Sequence, residues 1–198
     1  MKTFEIVKDY KKYRWFYTST GKLVVGGKSA QQNDALLKKI KTSNENFYIM
    51  HTAEPGSPFS VILAPIKSIK PTDLEQTAIF TGCFSRAWRA KKKKTQVDIF
   101  LSKDIYKSNL MKLGTWGVKK KLKQKTITLE LILAKQEDTL RAVPSSTAKK
   151  KDILLKIQPG KIDKTEMLAK IQVEIKTPFK QEELLSALPS GGIKICRK

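Results

Sequence analysis

Between Tyr13 and Ile40 the spacing of the apolar side chains changes once, and the change falls at the pair Gly26-Gly27. Before the glycines, Tyr13, Trp15 and Tyr17 alternate with Arg14, Phe16 and Thr18, a Ser19-Thr20-Gly21 turn follows, and Leu23-Val24-Val25 resumes the run. Alternation sends successive side chains to opposite faces, so the two runs read as the strands of a β-hairpin closed by a short glycine-containing loop. After the glycines, Ala35, Leu36 and Ile40 recur at helical spacing, with lysines in the last turn where cations meet the negative end of the helix dipole. The order is strand, strand, glycine corner, helix.

The same reading extends along the chain. Phe47–Met50 and Phe59–Leu63 read as strands around a loop, His51–Pro58, that carries Pro55-Gly56. Thr72 and Glu75 have the spacing of a capping box with Pro71 just outside, which predicts a second helix running to about Ala90. Within it Phe80, Phe84 and Trp88 recur every four residues as a core-packing stripe, Cys83 sits among them as a small buried thiol, and Arg86 and Arg89 project to the other side. Gln96–Leu101 follows as a strand, and Gly114-Thr115-Trp116-Gly117 as a turn into Val118. Beyond Lys125, strands are expected at Thr126–Leu133, Leu140–Val143, Ile153–Ile157 and Ile193–Cys196, and helices at Lys164–Glu174 and Lys180–Leu188. The expected fold class is α+β. A mixed, largely antiparallel sheet with two main helices forms the first domain, residues 1–124, and a smaller α+β domain occupies residues 125–198.

Charge decides the class of partner. Against 40 Lys+Arg stand 18 Asp+Glu, a net charge of +22 whose self-repulsion a polyanion would relieve. The excess is +7 over residues 1–90, +9 over 91–124 and +6 over 125–198, so the middle segment is the densest. No long apolar run is present and Met1–Lys12 has no signal-peptide core, which points away from membranes and to a cytoplasmic protein. Cys83 and Cys196 form no closely spaced pair and His51 is the only histidine, so no disulfide framework, metal centre or cofactor site is expected. Gly26-Gly27-Lys28-Ser29 is not a phosphate-binding P-loop, because the first glycine of that motif would fall at Lys22. Lys28 at the mouth of the following helix still suits a phosphate oxygen, since the first backbone N–H groups of a helix have no internal partner.

These residues, taken in order, resemble the RNA-binding module of the NFACT proteins, a family of ribosome-associated quality-control factors. The resemblance rests on Arg14-Trp15-Phe16-Tyr17-Thr18-Ser19-Thr20-Gly21-Lys22-Leu23-Val24-Val25-Gly26-Gly27-Lys28 with Asn33, on Tyr48-Ile49-Met50-His51 leading to Gly56-Ser57, and on Ser85-Arg86-Ala87-Trp88. With Leu113-Gly114-Thr115-Trp116-Gly117-Val118-Lys119-Lys120 it covers about residues 10–122. Arg141-Ala142-Val143-Pro144, Lys156-Ile157-Gln158-Pro159-Gly160 and Ser190-Gly191-Gly192-Ile193 are similar to the C-terminal domain of the eukaryotic and archaeal members. Long members have a second histidine where this chain has Pro55, and they carry further domains.

The resemblance implies a protein that binds structured RNA, tRNA or rRNA, in partnership with the ribosome, and that is not an enzyme. Phosphate contacts are expected from Lys28, Arg86, Arg89, Lys91, Lys92, Lys93, Lys94, Lys119, Lys120 and Lys121, with His51 nearby. Trp15, Tyr17 or Trp116 would stack on exposed bases. The competing reading is a subunit or enzyme of an RNA-modification pathway, with His51, Glu54 and Cys83 around a bound base.

Overall fold

In the computed structural model, which describes residues 7–176 and 178–196, the alternating run is a hairpin of β1 (Arg14–Tyr17) and β2 (Leu23–Gly26) with Trp15 opposite Val25. Its loop closes at Gly21, whose φ of +78° lies in the left-handed region that glycine enters at little cost. Gly27 makes the corner because its backbone runs against Asn33. A Cβ there would strike Asn33 Oδ1, which accepts the Phe59 N–H at 3.2 Å. α1 (Ala30–Thr42) starts on Ser29, whose hydroxyl accepts the Gln32 N–H at 3.2 Å.

The chain continues through β3 (Tyr48–Thr52), β4 (Ser60–Ile62), α2 (Pro71–Cys83), α3 (Arg86–Arg89), β5 (Lys94–Leu101), the short pair β6 (Ile105–Tyr106) and β7 (Gly117–Val118), and β8 (Lys123–Thr128). Six of these strands form one antiparallel sheet in the order β1-β2-β4-β3-β5-β8. Alternation divides its apolar residues between two cores. Trp15, Val25, Ile49, Val61 and Phe100 pack with Leu36, Leu37 and Ile40 of α1 on one face. On the other, Phe16, Val24, Met50, Ile62, Val97 and Ile99 pack with Ala78, Phe80 and Cys83 of α2.

The single helix expected from Thr72 to Ala90 is two helices. Ser85 adopts an extended backbone, its hydroxyl accepts the Ala87 N–H at 3.1 Å, and it thereby ends α2 and caps α3. Phe80 and Phe84 still meet, 4.6 Å between centroids, and Trp88 is fully buried on the separate turn. The start of α2 differs too. Pro71 is the first helical residue, and the Asp73 carboxylate, not Glu75, accepts the Lys70 N–H at 2.8 Å.

The remaining chain forms β9 (Leu131–Gln136), β10 (Thr139–Val143), β11 (Leu155–Asp163), α4 (Leu168–Ile175), α5 (Gln181–Ala187) and β12 (Gly192–Cys196). Its strands make a second antiparallel sheet, β10-β9-β11-β12. The expected strand Thr126–Leu133 is thus split at Leu129-Glu130 between two sheets, and a division at residue 124 falls inside β8. The core beneath α2 runs on without interruption into Leu131, Leu133, Leu140, Ile157, Ile171, Leu184 and Ile193. No helix among the described residues is long and apolar enough to cross a membrane.

Candidate nucleic-acid interface

β1 begins, β2 and β3 end, and β4 begins at one end of the six-stranded sheet, and an open cleft of about 650 Å³ lies there. It is walled by Arg14 of β1, Lys28 and Ser29 of the glycine corner, His51 of β3 with the loop after it, Arg86 and Arg89 of α3, and Trp116. Local contacts hold these walls. Gly56, at a φ of +106°, passes so close to α3 that a Cβ would meet Arg86 Cγ at 2.6 Å, and its carbonyl accepts the Arg86 N–H at 2.9 Å. Opposite, buried Asp34 of α1 ties down the segment before β7, accepting Trp116 Nε1–H at 2.8 Å and the Gly114 N–H at 3.0 Å and pairing with Lys107 at 3.2 Å. Burial pushes the Asp34 carboxyl up, but those donors outweigh it and hold the group below the ordinary carboxylate range.

The cleft is electropositive. The Arg14 guanidinium lies 4.5 Å from the centroid of the Phe84 ring. Burial, and then the charge of Arg141, bring Arg14 down to about 10. Burial also lowers Lys28, assisted by Arg14 and Arg141. Among the described residues lining the cleft only Asp98 is acidic, and its oxygens are taken by Lys121 at 2.6 Å and Gln124 at 2.8 Å. His51 is the cross-strand partner of Asp98, and its Nδ1 donates to the Thr52 carbonyl at 2.7 Å. Burial holds the imidazole below its ordinary value, against Thr52 and Asp98, so it is neutral at pH 7 with Nε2 as an acceptor.

Of the residues expected from sequence, the cleft gathers Lys28, His51, Arg86, Arg89 and Trp116. Lys91, Lys92, Lys93 and Lys94 follow α3 as an exposed turn into β5, with Lys92 paired to Glu54 at 2.8 Å. Lys119, Lys120 and Lys121 are exposed on the connection from β7 to β8, and Lys121 reaches the cleft through Asp98.

The aromatic expectations need correction. Trp15 is 1% exposed, packed edge-on against Tyr10 and Tyr17 and covered by Arg141, so it cannot stack on a base. Tyr17 is half-buried in the same cluster and does not line the cleft. Trp116 does line it, but at 9% exposure with its indole N–H committed to Asp34 it builds the wall and leaves little ring to stack. Nor do His51, Glu54 and Cys83 converge. Cys83 is fully buried away from the cleft, with burial pushing its thiol far up, and Glu54 is turned to Lys92.

Sequence reasoning missed Arg14. A signal for Arg14 exists: it shares the face of β1 that carries buried Phe16, an unusual place for a cation without a carboxylate.

Residues 12–120 match the family described as the NFACT protein RNA binding domain. The archaeal Rqc2 homolog aRqcH of Methanocaldococcus jannaschii is 29% identical over 210 residues, which covers 96% of this chain and 30% of that protein. The ribosome quality control complex subunit NEMF of Homo sapiens is 30% identical over 83 residues, 41% of this chain and 8% of that protein. The chain therefore spans less than a third of the length of either relative. The solved C-terminal part of the fibronectin/fibrinogen-binding protein from Streptococcus suis shares the fold, with a TM-score of 0.51 at 22% identity over 59% of this chain and 44% of that one.

Proposed function

The chain belongs to the NFACT protein RNA binding domain family, and on that premise we propose that it binds structured RNA, of the tRNA or rRNA class, in ribosome-associated quality control. The observation that carries this reading is the cleft, where Arg14, Lys28, Arg86 and Arg89 stand around one opening and no carboxylate among the described residues pairs with any of them. Fixed cations of this kind displace the counterions condensed on a phosphate backbone and so supply affinity that falls with salt. The first backbone N–H groups of α1 open beside Lys28 and add donors for a phosphate. Neutral His51 offers Nε2 to a base or ribose donor, a contact a lysine could not make.

In this reading the chain is a cytoplasmic binding protein and not an enzyme, and the ribosome is its partner; the human relative is named as a ribosome quality control complex subunit. Binding isotherms for tRNA, rRNA fragments and duplex DNA of matched charge, taken at several salt concentrations, test it. RNA should bind more tightly than duplex DNA, log K should fall linearly with log salt, and Arg86→Gln and Arg89→Gln should weaken every RNA alike. Equal affinity for duplex DNA, or no salt dependence, would overturn the reading.

A further inference from the structure

Two polar groups in the cleft are left without partners by the fold, and Phe59 links them. Its N–H donates to Asn33 Oδ1 at 3.2 Å, and its ring lies against the His51 imidazole with 4.4 Å between centroids. The first contact commits Asn33 Oδ1 as an acceptor and so sets the amide nitrogen as the other terminal atom. Asn33 is 9% exposed and lines the cleft, and its Nδ2 donates to nothing among the described residues. The helix does not need that donor, because the Ser29 carbonyl already accepts the Asn33 N–H at 2.9 Å. On the other side of Phe59, the Thr52 carbonyl, which only accepts, takes the His51 Nδ1 proton at 2.7 Å, so Nε2 is left as an acceptor, also without a described partner.

Polar groups removed from bulk water are almost always hydrogen-bonded, so an unmet donor and an unmet acceptor in one cleft call for a ligand that supplies both. A phosphodiester does not, since its oxygens only accept and leave the imidazole nitrogen unsatisfied. The edge of a nucleobase and the 2′-hydroxyl of a ribose each combine a donor with an acceptor. Leu113 points to the same class of ligand. It lines the cleft at 56% exposure, next to Gly114, which Asp34 holds at 3.0 Å. A chain of phosphates gives an exposed leucine nothing to pack on, whereas the face of an unstacked base does. The exposed guanidiniums of Arg86 and Arg89 add planes on which a base can lie, which buried Trp15 and Trp116 do not. The cleft, about 650 Å³, is of the size that holds one small ligand and not a length of duplex.

We propose that the cleft takes one unstacked nucleotide of the bound RNA, its base or ribose hydrogen-bonded to Asn33 Nδ2 and His51 Nε2 and packed on Leu113, while Lys28, Arg86 and Arg89 hold the flanking phosphates. The inference rests on the RNA-binding reading above and narrows it to RNA that presents an unpaired nucleotide in a loop, bulge or end, where no pairing has to be broken. The shared chemistry is a donor beside an acceptor, which the nucleotide supplies on its base edge or at its 2′-hydroxyl.

The test uses the full chain and one RNA duplex, either fully paired or with a single bulged nucleotide, the bulge also being made without its base and as the 2′-deoxy form. The parent should bind the bulged duplex about tenfold more tightly than the paired one. His51→Phe keeps a ring on Phe59 and removes the acceptor, Asn33→Asp keeps an acceptor for the Phe59 N–H and removes the amide donor, and Leu113→Ser removes the apolar contact. Each should lose the preference for the bulge. Arg89→Gln should weaken both duplexes alike and keep the preference, which separates phosphate contact from recognition of the nucleotide. Thermal unfolding checks the fold, and Leu113→Ser, at an exposed position, keeps the test decisive if a variant of the buried pair unfolds. Loss of the preference with the baseless bulge assigns the contact to the base edge, and loss with the 2′-deoxy bulge assigns it to the ribose. If the parent binds paired and bulged duplexes equally, or if the folded variants all keep the preference, the nucleotide seat is refuted and the RNA reading stands. If the parent binds neither RNA, the RNA reading fails and this inference with it.

Discussion

Gln136 grips the backbone of Tyr17 from both sides: its Oε1 accepts the Tyr17 N–H at 2.8 Å and its Nε2 donates to the Tyr17 carbonyl at 2.9 Å. A side-chain amide of the second sheet thus stands where a neighbouring strand would stand beside β1, the outermost strand of the first sheet. Sheet edges expose unpaired N–H and C=O groups that invite further strands, and here the Tyr17 N–H and C=O are taken up within the chain.

Gln136→Glu keeps the acceptor but sets a carboxylate oxygen against the Tyr17 carbonyl. It should cost about 1–3 kcal/mol, the range for a buried polar group left without its partner. Urea unfolding measures it, and an unchanged midpoint would show that the grip contributes nothing.

Trp88 is fully buried, and its Nε1–H donates to the Gly192 carbonyl at 3.0 Å, linking α3 to β12. Trp88→Ala should destabilise by about 3–5 kcal/mol through loss of the buried ring. Trp88→Phe should cost less, about 1–3 kcal/mol, because the carbonyl loses its donor while much of the ring remains. Equal losses in calorimetry would contradict this division.

A chain ending at residue 124 cuts β8 within its pairing to β5, whereas one ending at residue 130 keeps the whole strand and Ile127, which packs over Gly82 and Thr95. We expect the longer form to unfold cooperatively and the shorter one to unfold earlier in denaturant, with a shallower transition. Coincident curves by circular dichroism would show that β8 is dispensable.

His51 sets a pH dependence of known sign. Burial lowers its folded value beneath the ordinary 6.5, so the unfolded chain binds a proton that the folded chain resists. Its contribution is complete above 6.5 and declines as pH falls through the window below it. His51→Gln should flatten stability there, while the further loss below 3.8, owed to the lowered carboxyls of Asp34 and Asp73, persists. An identical pH profile for the variant would place the proton elsewhere.

Replacing Lys91, Lys92, Lys93 and Lys94 together with glutamine should weaken all RNAs and flatten the salt dependence, but by about three contacts and not four, because Lys92 is held by Glu54 at 2.8 Å. Isotherms at several salt concentrations give the slope. An unaltered slope removes this turn from the RNA surface.

What the sequence by itself determined is whatever neighbours in the chain can decide. The hairpin, the glycine corner and helix α1 were legible because side-chain period and glycine act within a few positions of one another. The break at Ser85 was not, since its hydroxyl capped a new turn within a stripe whose four-residue spacing continued through it. The cleft residues Lys28, His51, Arg86 and Arg89 stood out as charged or titratable groups in recognisable motifs, and the fold brought them together at one end of the sheet. Only the tertiary structure decided which aromatic rings were free and which cations lacked a partner. Trp15 looks available in an alternating edge strand, yet Arg141 covers it, and Arg14 and Arg141 become neighbours only when the second sheet closes over β1. Burial and charge balance are sums over everything that surrounds a group, and for these residues the surroundings come from the far end of the chain.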